Sequence, residues 1–368
     1  MSEYIFILMW IGACSIFSKV LVYRKENSIE NNDSEKKKLN WFLAVVSFFP
    51  IIYIAASRDF NFVDTSVYVN KFFHMPDTLS ELWDYSNTID KDKVFYLFSG
   101  IIKIFISDDA RVYLWIIAGI QGIVLIWFFN KYSESYFISI FLFVASTDMI
   151  SWMFNGIRQF LAVVIILLAT PFLVKRKYIP VILIILLAAT MHLSALIMLP
   201  LVFVAQGKAW NKKTVFFIVA TIIIIAFIGQ FTGLLNESLS DTQYKNVISD
   251  YKEMQDNGTN FFRVLVYSVP AILSFVFRKK IIVCDDAIVN LSTNLSIISS
   301  GLYVVSMFTS GVFMGRMPIY CSLFSYLLLP WLIKNAFNEK DKRIVLFFMI
   351  ISYLIFYYYQ MSITWAMF

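Results

Sequence analysis

Residues 155–174 read NGIRQFLAVVIILLATPFLV, a polar start followed by a nearly unbroken apolar run. The run approaches the roughly 20 residues that a helix needs to cross a bilayer. About twelve such runs fill the chain, whose mean hydropathy is +0.71. Only 15% of its residues are charged, against about 25% in a soluble domain. The sequence therefore predicts an all-α, polytopic membrane protein that forms a single domain over residues 1–368.

Twelve membrane spans are predicted from these runs. They are 4–22, 39–56, 111–129, 135–150, 157–174, 178–190, 193–206, 214–233, 262–277, 288–308, 317–334 and 343–360. The pair 178–190 and 193–206 is split at His192, because one long span would move the following lysines to the outer side. With this split most basic residues lie in inner loops, as the positive-inside rule requires.

Two long loops are predicted on the outer side, at 57–110 and 234–261. Within the first loop, segment 93–107 is interrupted by Lys103 and is expected to form an amphipathic helix on the membrane surface. A long polar loop over a membrane core often serves as a lid or a binding element. A simple linker is the alternative for the second loop.

Five arginines fall on the predicted outer side: Arg58, Arg111, Arg158, Arg263 and Arg316. A guanidinium binds phosphate through two parallel hydrogen bonds and stays charged when it is partly buried. An outer face rich in arginine therefore suits a diphosphate ligand. The alternative is that the side chains snorkel to the interface, and we favour this alternative for Arg111.

Arg158 shares a predicted helix face with Asn155 and Gln159, because the three residues have helical i, i+3, i+4 spacing. They lie at the start of a span, where free backbone N–H groups and the helix dipole favour an anion. The alternative is a hydrogen-bonded cluster that holds helices together. Arg316 is followed one turn later by Tyr320, and Arg263 opens its own span in the same way.

Asp59, Asp64 and His192 are the candidates for proton transfer. Asp59 and Asp64 lie just beyond a span and close to Arg58, so either could act as a general base or pair with an arginine. Histidine side chains can take or relay a proton near physiological pH, so His192 could do so, although lone histidines in apolar segments are often structural. Tyr68 offers an aromatic face that stacks on a sugar ring or anchors at the interface.

Several functions are disfavoured by what the sequence lacks. It has no Walker A sequence, no GxGxxG and no HExxH, and no His, Cys and carboxylate cluster has metal-ligand spacing. We therefore expect no nucleotide or metal cofactor. The net charge of +6 does not indicate nucleic acid, because the basic residues lie in short loops between spans.

Three segments occur in the order and spacing of a known family. They are RDFNFVDTSVYVNKFF at 58–73, NGIRQFLAVVIILLA at 155–169 and HLSALIMLPL at 192–201, with GRMPIY at 315–320 as a weaker fourth. On these motifs the chain resembles the EpsG/Wzy-type polysaccharide polymerases of bacteria over most of its length. One departure is Val63, because the family usually has Gly before the residue that matches Asp64.

The resemblance implies a helical bundle with a long first outer loop, similar to lipid-dependent glycosyltransferases of the GT-C class. Such an enzyme transfers a growing glycan from undecaprenyl diphosphate to a second lipid-linked repeat, at the outer face of the bacterial cytoplasmic membrane. It needs no metal, works among membrane lipids and allows a chain-length regulator protein as a partner. Arg158, Arg263 and Arg316 would bind the diphosphate, and Asp59, Asp64 or His192 would activate or orient the acceptor hydroxyl.

Other functions stay open at this point. A flippase or exporter of the same lipid-linked oligosaccharide would also need arginines and about twelve spans. A flippase, however, needs charge deep in a central cavity, whereas the charges here lie near one face. A ligase that moves finished O-antigen to another lipid is a further alternative. A membrane O-acyltransferase would need a histidine that is reachable from inside, and His192 is predicted to face outward.

Overall fold

The computed structural model describes residues 2–26, 39–89, 92–239 and 256–364, and every regular element among them is helical. In chain order the α-helices are α1 (Ser2–Glu26), α2 (Trp41–Ser57), α3 (Thr65–Phe73), α4 (Leu79–Thr88), α5 (Lys93–Phe105), α6 (Ala110–Tyr132), α7 (Tyr136–Ala145), α8 (Asp148–Phe154), α9 (Ile157–Leu167), α10 (Thr170–Val174), α11 (Tyr178–Met191), α12 (Met198–Ala205), α13 (Lys212–Ala226), α14 (Ile228–Leu239), α15 (Phe261–Val276), α16 (Arg278–Cys284), α17 (Ala287–Met307), α18 (Ile319–Ser322), α19 (Ser325–Ala336) and α20 (Glu339–Tyr359). Two 3-10 turns (Leu193–Ile197 and Met314–Arg316) and a π-helical turn (Gln360–Thr364) accompany them.

Many of the long helices begin at an Asn or Asp whose side chain accepts a hydrogen bond from the first turn. These caps are Asn40, Asp109, Asn211, Asn260, Asp286 and Asn338. Such a cap satisfies a backbone N–H that has no partner within the helix and contributes about 0.5–2 kcal/mol. The sequence therefore fixes where these helices start.

The chain divides into two compact units. The first consists of Met1–Thr88, Val94–Leu167 and Phe337–Phe368, and the second of Ile89–Lys93 and Leu168–Ala336. The division does not test the predicted single membrane domain over residues 1–368, which stays a prediction.

In the first unit α2 packs closely along α6. Gly122 permits this approach, because a Cβ atom there would lie 2.4 Å from the side chain of Ile52. Helix α1 is tied to α2 by the Trp10 indole, which donates to the Val46 carbonyl at 3.0 Å. The Tyr136 hydroxyl of α7 donates to the Ala44 carbonyl at 2.8 Å. Small residues and hydrogen bonds of this kind hold helices together in a bilayer, where apolar side chains alone give no preference for protein over lipid.

In the second unit α17 is the central helix, and it packs against α12, α13, α15 and α19. Its buried hydroxyls pair with neighbouring helices, as in Ser299 with Ser322 at 2.8 Å and Ser296 with Ser325 at 2.9 Å. Its amide side chain Asn294 is fully buried and donates to the Ala205 carbonyl at 2.9 Å. These polar contacts fix the register of α17 within the unit.

Four helices are long and apolar enough to cross a membrane in the part of the chain that the structure describes, and the number rises to eight if each bent helix pair is one span. The long helices are α1, α6, α17 and the Glu339–Thr364 helix, and the bent pairs are α7 with α8, α13 with α14, α15 with α16, and Met314–Ser322 with α19. Four shorter apolar helices complete the set. Each of the twelve predicted segments coincides with one of these features, while the count of twelve spans stays a prediction.

Several predicted spans are broken rather than straight. The segment 135–150 bends by 74° between α7 and α8, and the segment 214–233 bends by 96° between α13 and α14. At the first break Thr147 has φ 65, a left-handed conformation that ends a right-handed helix. The segment 157–174 is interrupted after Leu167, where α9 ends.

The first predicted outer loop contains three helices, α3, α4 and α5. The segment 93–107 forms α5, which buries one face and exposes Ile101 and Phe105. This division is amphipathic, and the location of α5 on the membrane surface stays a prediction. Of the second predicted outer loop, 240–255 lies outside the described residues.

Candidate functional site

Arg158 lies between two tyrosine rings in the first unit. Its guanidinium carbon is 5.7 Å from the centre of the Tyr68 ring and 5.8 Å from that of the Tyr96 ring. One terminal nitrogen donates to the Tyr96 hydroxyl at 3.5 Å. The rings belong to α3 and α5, so helices of the predicted first outer loop orient a side chain in the first turn of α9. Cation–π contacts of this kind contribute about 0.5–2 kcal/mol each.

A second cation meets the same tyrosine. The Lys71 ammonium donates to the Tyr96 hydroxyl at 2.9 Å and also lies over the ring, 4.9 Å from its centre. Two positive charges therefore lie beside one phenol oxygen. Together they favour an anion at this position. Sequence analysis missed both Lys71 and Tyr96. The spacing of Lys71, one turn after Tyr68 on α3, is the one sequence signal that points to it.

Asn155 is not on the helix face that the sequence predicts. It follows the end of α8, and α9 begins two residues later at Ile157. The i, i+3, i+4 prediction fails because the chain breaks at Gly156 instead of continuing as a helix. Asn155 and Gln159 are both buried nevertheless, and the Oδ1 atom of Asn155 has no hydrogen-bond partner among the described residues. Arg158 still lies at a helix start, as predicted.

Arg58 is buried at the end of α2. Its Nε donates to the Thr65 hydroxyl at 2.7 Å and a terminal nitrogen donates to the Ala55 carbonyl. Burial lowers the pKa of Arg58 to about 10, so the guanidinium is still charged at neutral pH. Its other terminal nitrogen is buried without a hydrogen-bond partner among the described residues. Arg111 donates to the Ala56 and Arg58 carbonyls at 2.8 Å each and braces this turn.

Asp59 and Asp64 differ in their surroundings. Asp59 is exposed and accepts a hydrogen bond from the Asn61 backbone at 2.7 Å. Asp64 is half-buried and precedes α3, and its side chain does not cap that helix. Val63 before it has φ 43, the left-handed conformation that glycine adopts readily. The backbone of Val63 therefore suits glycine, the residue expected at this position of the motif, although a β-branched residue occupies it.

In the second unit, His192 and Tyr320 are joined through Ser194. The His192 Nδ1 lies 2.7 Å from the Ser194 hydroxyl, which lies 2.8 Å from the Tyr320 hydroxyl. His192 has extended backbone between α11 and the following 3-10 turn. A chain of an imidazole and two hydroxyls can pass a proton along its length. Sequence analysis missed Ser194, although it is in the same motif as His192.

Arg263 and Arg316 are half-buried in the same unit. Arg263 lies in the first turn of α15, and Arg316 ends the 3-10 turn four residues before Tyr320. Tyr267, one turn after Arg263, stacks on Tyr303 with ring centres 4.7 Å apart. That Arg263 and Arg316 share one ligand with Arg158 stays a prediction.

An apolar groove of about 400 Å³ lies between α13, α15 and α17. Its lining is Trp210, Ile218, Thr221, Ile222, Ile225, Ala271, Ile272, Phe275, Ile297, Ser300, Gly301 and Val304. Trp210 has φ 58, and its backbone N–H donates to Asn294 Oδ1 at 3.2 Å. Its indole donates to the Ser274 hydroxyl at 3.2 Å and packs on Phe275. These contacts therefore hold the tryptophan against the groove in a strained backbone conformation.

No group of three His, Cys, Asp or Glu side chains is arranged to hold a metal ion within residues 2–26, 39–89, 92–239 and 256–364.

The fold and these clusters define a polytopic helical membrane protein with arginine, tyrosine and hydroxyl groups among apolar helices. Residues 41–366 match the model of the EpsG family, a family of polysaccharide polymerases. Because the match covers most of the chain, the protein belongs to this family, which confirms the resemblance found in the sequence. A search found no similar curated protein and no similar solved structure.

Proposed function

We propose that this membrane polysaccharide polymerase joins oligosaccharide repeats carried on undecaprenyl diphosphate, at the outer face of the bacterial cytoplasmic membrane. The product would be O-antigen, capsule or exopolysaccharide. Membership of the EpsG family over residues 41–366 is the observation that carries the proposal. The enzyme would be a glycosyltransferase that uses a lipid-diphosphate donor and no metal, with a chain-length regulator as a partner.

The Arg158 cluster supports a diphosphate ligand. Arg158 and Lys71 both donate to the Tyr96 hydroxyl, so two positive charges lie close together there. Arg58 adds a buried cation in the same unit. Positive groups held in place before the reaction stabilise charge that develops on a leaving group. Asn155 lies at the helix break before Arg158, and Gln159 lies in α9. Both would complete the polar environment of the phosphates.

In the proposed reaction an acceptor sugar hydroxyl attacks the anomeric carbon of the donor glycan. The new glycosidic bond forms as the bond to the diphosphate oxygen breaks, and undecaprenyl diphosphate leaves with its negative charge. The hydroxyl proton passes to a base, for which Asp64, Asp59 and His192 are the candidates. Tyr320 and Ser194 would hold the imidazole of His192, while Arg263 and Arg316 would bind phosphate. Tyr68 would offer its ring to the sugar.

The groove beside Trp210 suits the polyprenyl chain of the same substrate. Its lining is almost wholly apolar, and α15 carries Arg263 at its start and Ala271 in the groove. Eight residues of helix span about 12 Å, so the charged end of a lipid diphosphate and its chain could be bound along one helix.

A flippase or exporter of the same lipid is the second candidate, and a ligase is the third. The deciding experiment compares the polysaccharide of cells that lack the gene with that of cells complemented with it. A polymerase predicts single-repeat glycan in the deletion strain and a restored ladder on complementation. If single repeats are also missing from the outer side while lipid-linked repeats accumulate inside, the protein is a flippase. A deletion strain with a normal ladder contradicts all three functions. Polymer that is made but stays on its lipid carrier indicates the ligase.

A further inference from the structure

The carboxylate of Asp256 joins the segment before α15 to the turn that follows α17. Its Oδ1 accepts hydrogen bonds from the backbone N–H groups of Gly258 and Gly311, both at 3.0 Å. Its Oδ2 accepts from the Val312 N–H at 2.9 Å and from the Ser310 hydroxyl at 2.7 Å. Three of these four donors belong to the turn after α17. One side chain therefore connects two segments that are far apart in the sequence.

Two glycines bring the same segments into backbone contact. Gly258 has φ 82, and a Cβ atom there would lie 2.5 Å from the carbonyl oxygen of Met307. A Cβ atom on Gly311 would lie 3.0 Å from the carbonyl carbon of Gly258. No larger residue fits either position without moving the backbone. The contact made by Asp256 is thus part of a closely packed junction.

The junction leads directly to two arginines. The Thr259 N–H donates to the Ser306 carbonyl at 3.1 Å, and the two hydroxyls of this pair are 2.7 Å apart; Arg263 follows four residues later. On the other side, Ser310 accepts at its carbonyl from the Gly315 N–H at 3.0 Å, and Arg316 is the next residue. The position of Asp256 therefore influences where both guanidinium groups lie.

We propose that Asp256 is a positioning residue, which fixes Arg263 and Arg316 relative to each other for the polymerase reaction. The inference rests on the proposed function, because it assigns a task to arginines that would bind the diphosphate. Helix formation alone does not need this carboxylate, since Asn260 already caps α15 by accepting from the Phe262 N–H at 2.8 Å.

The charge state of Asp256 agrees with this role. Burial favours the neutral carboxyl, but the hydrogen bonds from Val312, Ser310 and Gly311 outweigh burial and lower the pKa of Asp256. The side chain is therefore ionised at neutral pH, where a carboxylate accepts hydrogen bonds with both of its oxygens.

The test is Asp256→Asn in the full-length protein, because the amide has the same shape but turns one acceptor into a donor facing N–H or O–H groups. Membranes from the complemented deletion strain would be given the lipid-linked repeats extracted from the uncomplemented deletion strain. The polymerisation rate is measured against lipid concentration and divided by the amount of folded protein. We expect this rate to fall on the order of 10- to 100-fold, as misplacement by about 1 Å far from the chemistry can do.

The matched control is Asp286→Asn at the opposite end of α17. Asp286 also accepts two backbone hydrogen bonds, from Ile288 and Val289, but it lies about 30 Å along the helix from Ser306. A merely structural role predicts that both variants lower the amount of folded protein and leave the rate per folded molecule unchanged. That result would overturn the proposal. Ser310→Ala, which removes one of the four hydrogen bonds to Asp256, serves as a second variant at the junction if Asp256→Asn does not fold, and we expect it to lower the rate per folded molecule to a smaller extent.

A double mutant tests the route through Arg316. If Asp256 acts by positioning this arginine, Asp256→Asn adds little to the loss caused by Arg316→Ala. Fully additive losses would contradict the inference. A wild-type protein that forms no polymer from the extracted lipid would count against the proposed function instead, so the two failures are distinguishable.

Discussion

Arg158 is a charged side chain that aromatic rings hold in place in the candidate site. The Arg158 guanidinium lies near two aromatic rings, and one of its terminal nitrogens donates to a phenol oxygen. The ring faces fix its direction without cancelling its charge. Burial also raises the pKa of the Tyr68 phenol, so this neighbour stays neutral. Such an arrangement suits an anionic ligand.

The first prediction concerns the shape of the Arg158 side chain. Arg158→Ala removes charge and hydrogen bonds together, and we expect the polymer yield to fall about 100-fold, as loss of one preorganised donor group does. Arg158→Lys keeps the charge but not the planar fork, so we expect an intermediate loss. The measurement is the polysaccharide ladder at equal protein levels.

Arg111→Lys provides the matched control in the same unit. Both of its hydrogen bonds go to backbone carbonyls from one terminal nitrogen, which an ammonium group can replace. We expect a normal ladder. Equal activity of Arg158→Lys, Arg158→Ala and wild type would refute a role of Arg158 in binding phosphate.

Residue type picks out candidates for the site but does not predict their contacts. Arg158, His192 and Tyr320 stand out because polar groups are costly in apolar segments. Tyr96 does not stand out, because one more aromatic residue in a chain with 20 tyrosines carries no signal. Its role depends on the contact between α3, α5 and α9, and no local sequence pattern predicts that contact.

At the scale of elements, hydropathy located the helices and missed their breaks. The apolar runs 135–150 and 214–233 are continuous in sequence, but each forms two helices at a steep angle. Hydropathy measures the cost of removing residues from water and is insensitive to the backbone path within the apolar phase. The conformation of Thr147 at the first break is decided by its surroundings rather than by its own preference.

The groove between α13, α15 and α17 yields the second prediction. Ala271→Phe would fill it, and we expect labelling of the purified protein by a photoreactive farnesyl diphosphate to weaken about tenfold, which corresponds to about 1.4 kcal/mol. The control is Val276→Phe, on the same helix but exposed outside the groove lining. If both variants are labelled like wild type, the groove does not bind the polyprenyl chain.

At the scale of the whole molecule, composition and motif order were enough for the class and the family. They predicted an all-helical membrane protein, and the EpsG match confirms the family. They could not pair Ser194 with Tyr320, because a contact between distant segments depends on packing that a single sequence does not report. The division into two compact units likewise follows from contacts, not from any linker in the sequence.

The predicted topology can be tested with the protein's own cysteines. Cys284 is exposed, while Cys14 and Cys321 are buried, and Cys284 follows the basic RKK segment at 278–280 that is predicted to be inside. A membrane-impermeant maleimide should therefore label the protein only after the cells are permeabilised. The variant Cys284→Ser identifies the labelled position. Labelling of Cys284 in intact cells would show that this loop lies on the outer side, opposite to the prediction.

Trp210 carries a consequence for redesign of the protein. Its left-handed backbone favours glycine or asparagine, whereas its ring packs on Phe275 and closes against the groove. A sequence chosen to suit the backbone alone would place a small residue there and lose the ring. A sequence chosen to fill space would keep a large ring there together with the strained backbone. A redesign that chooses position 210 by backbone conformation alone would therefore give a chain that lacks one wall of its groove.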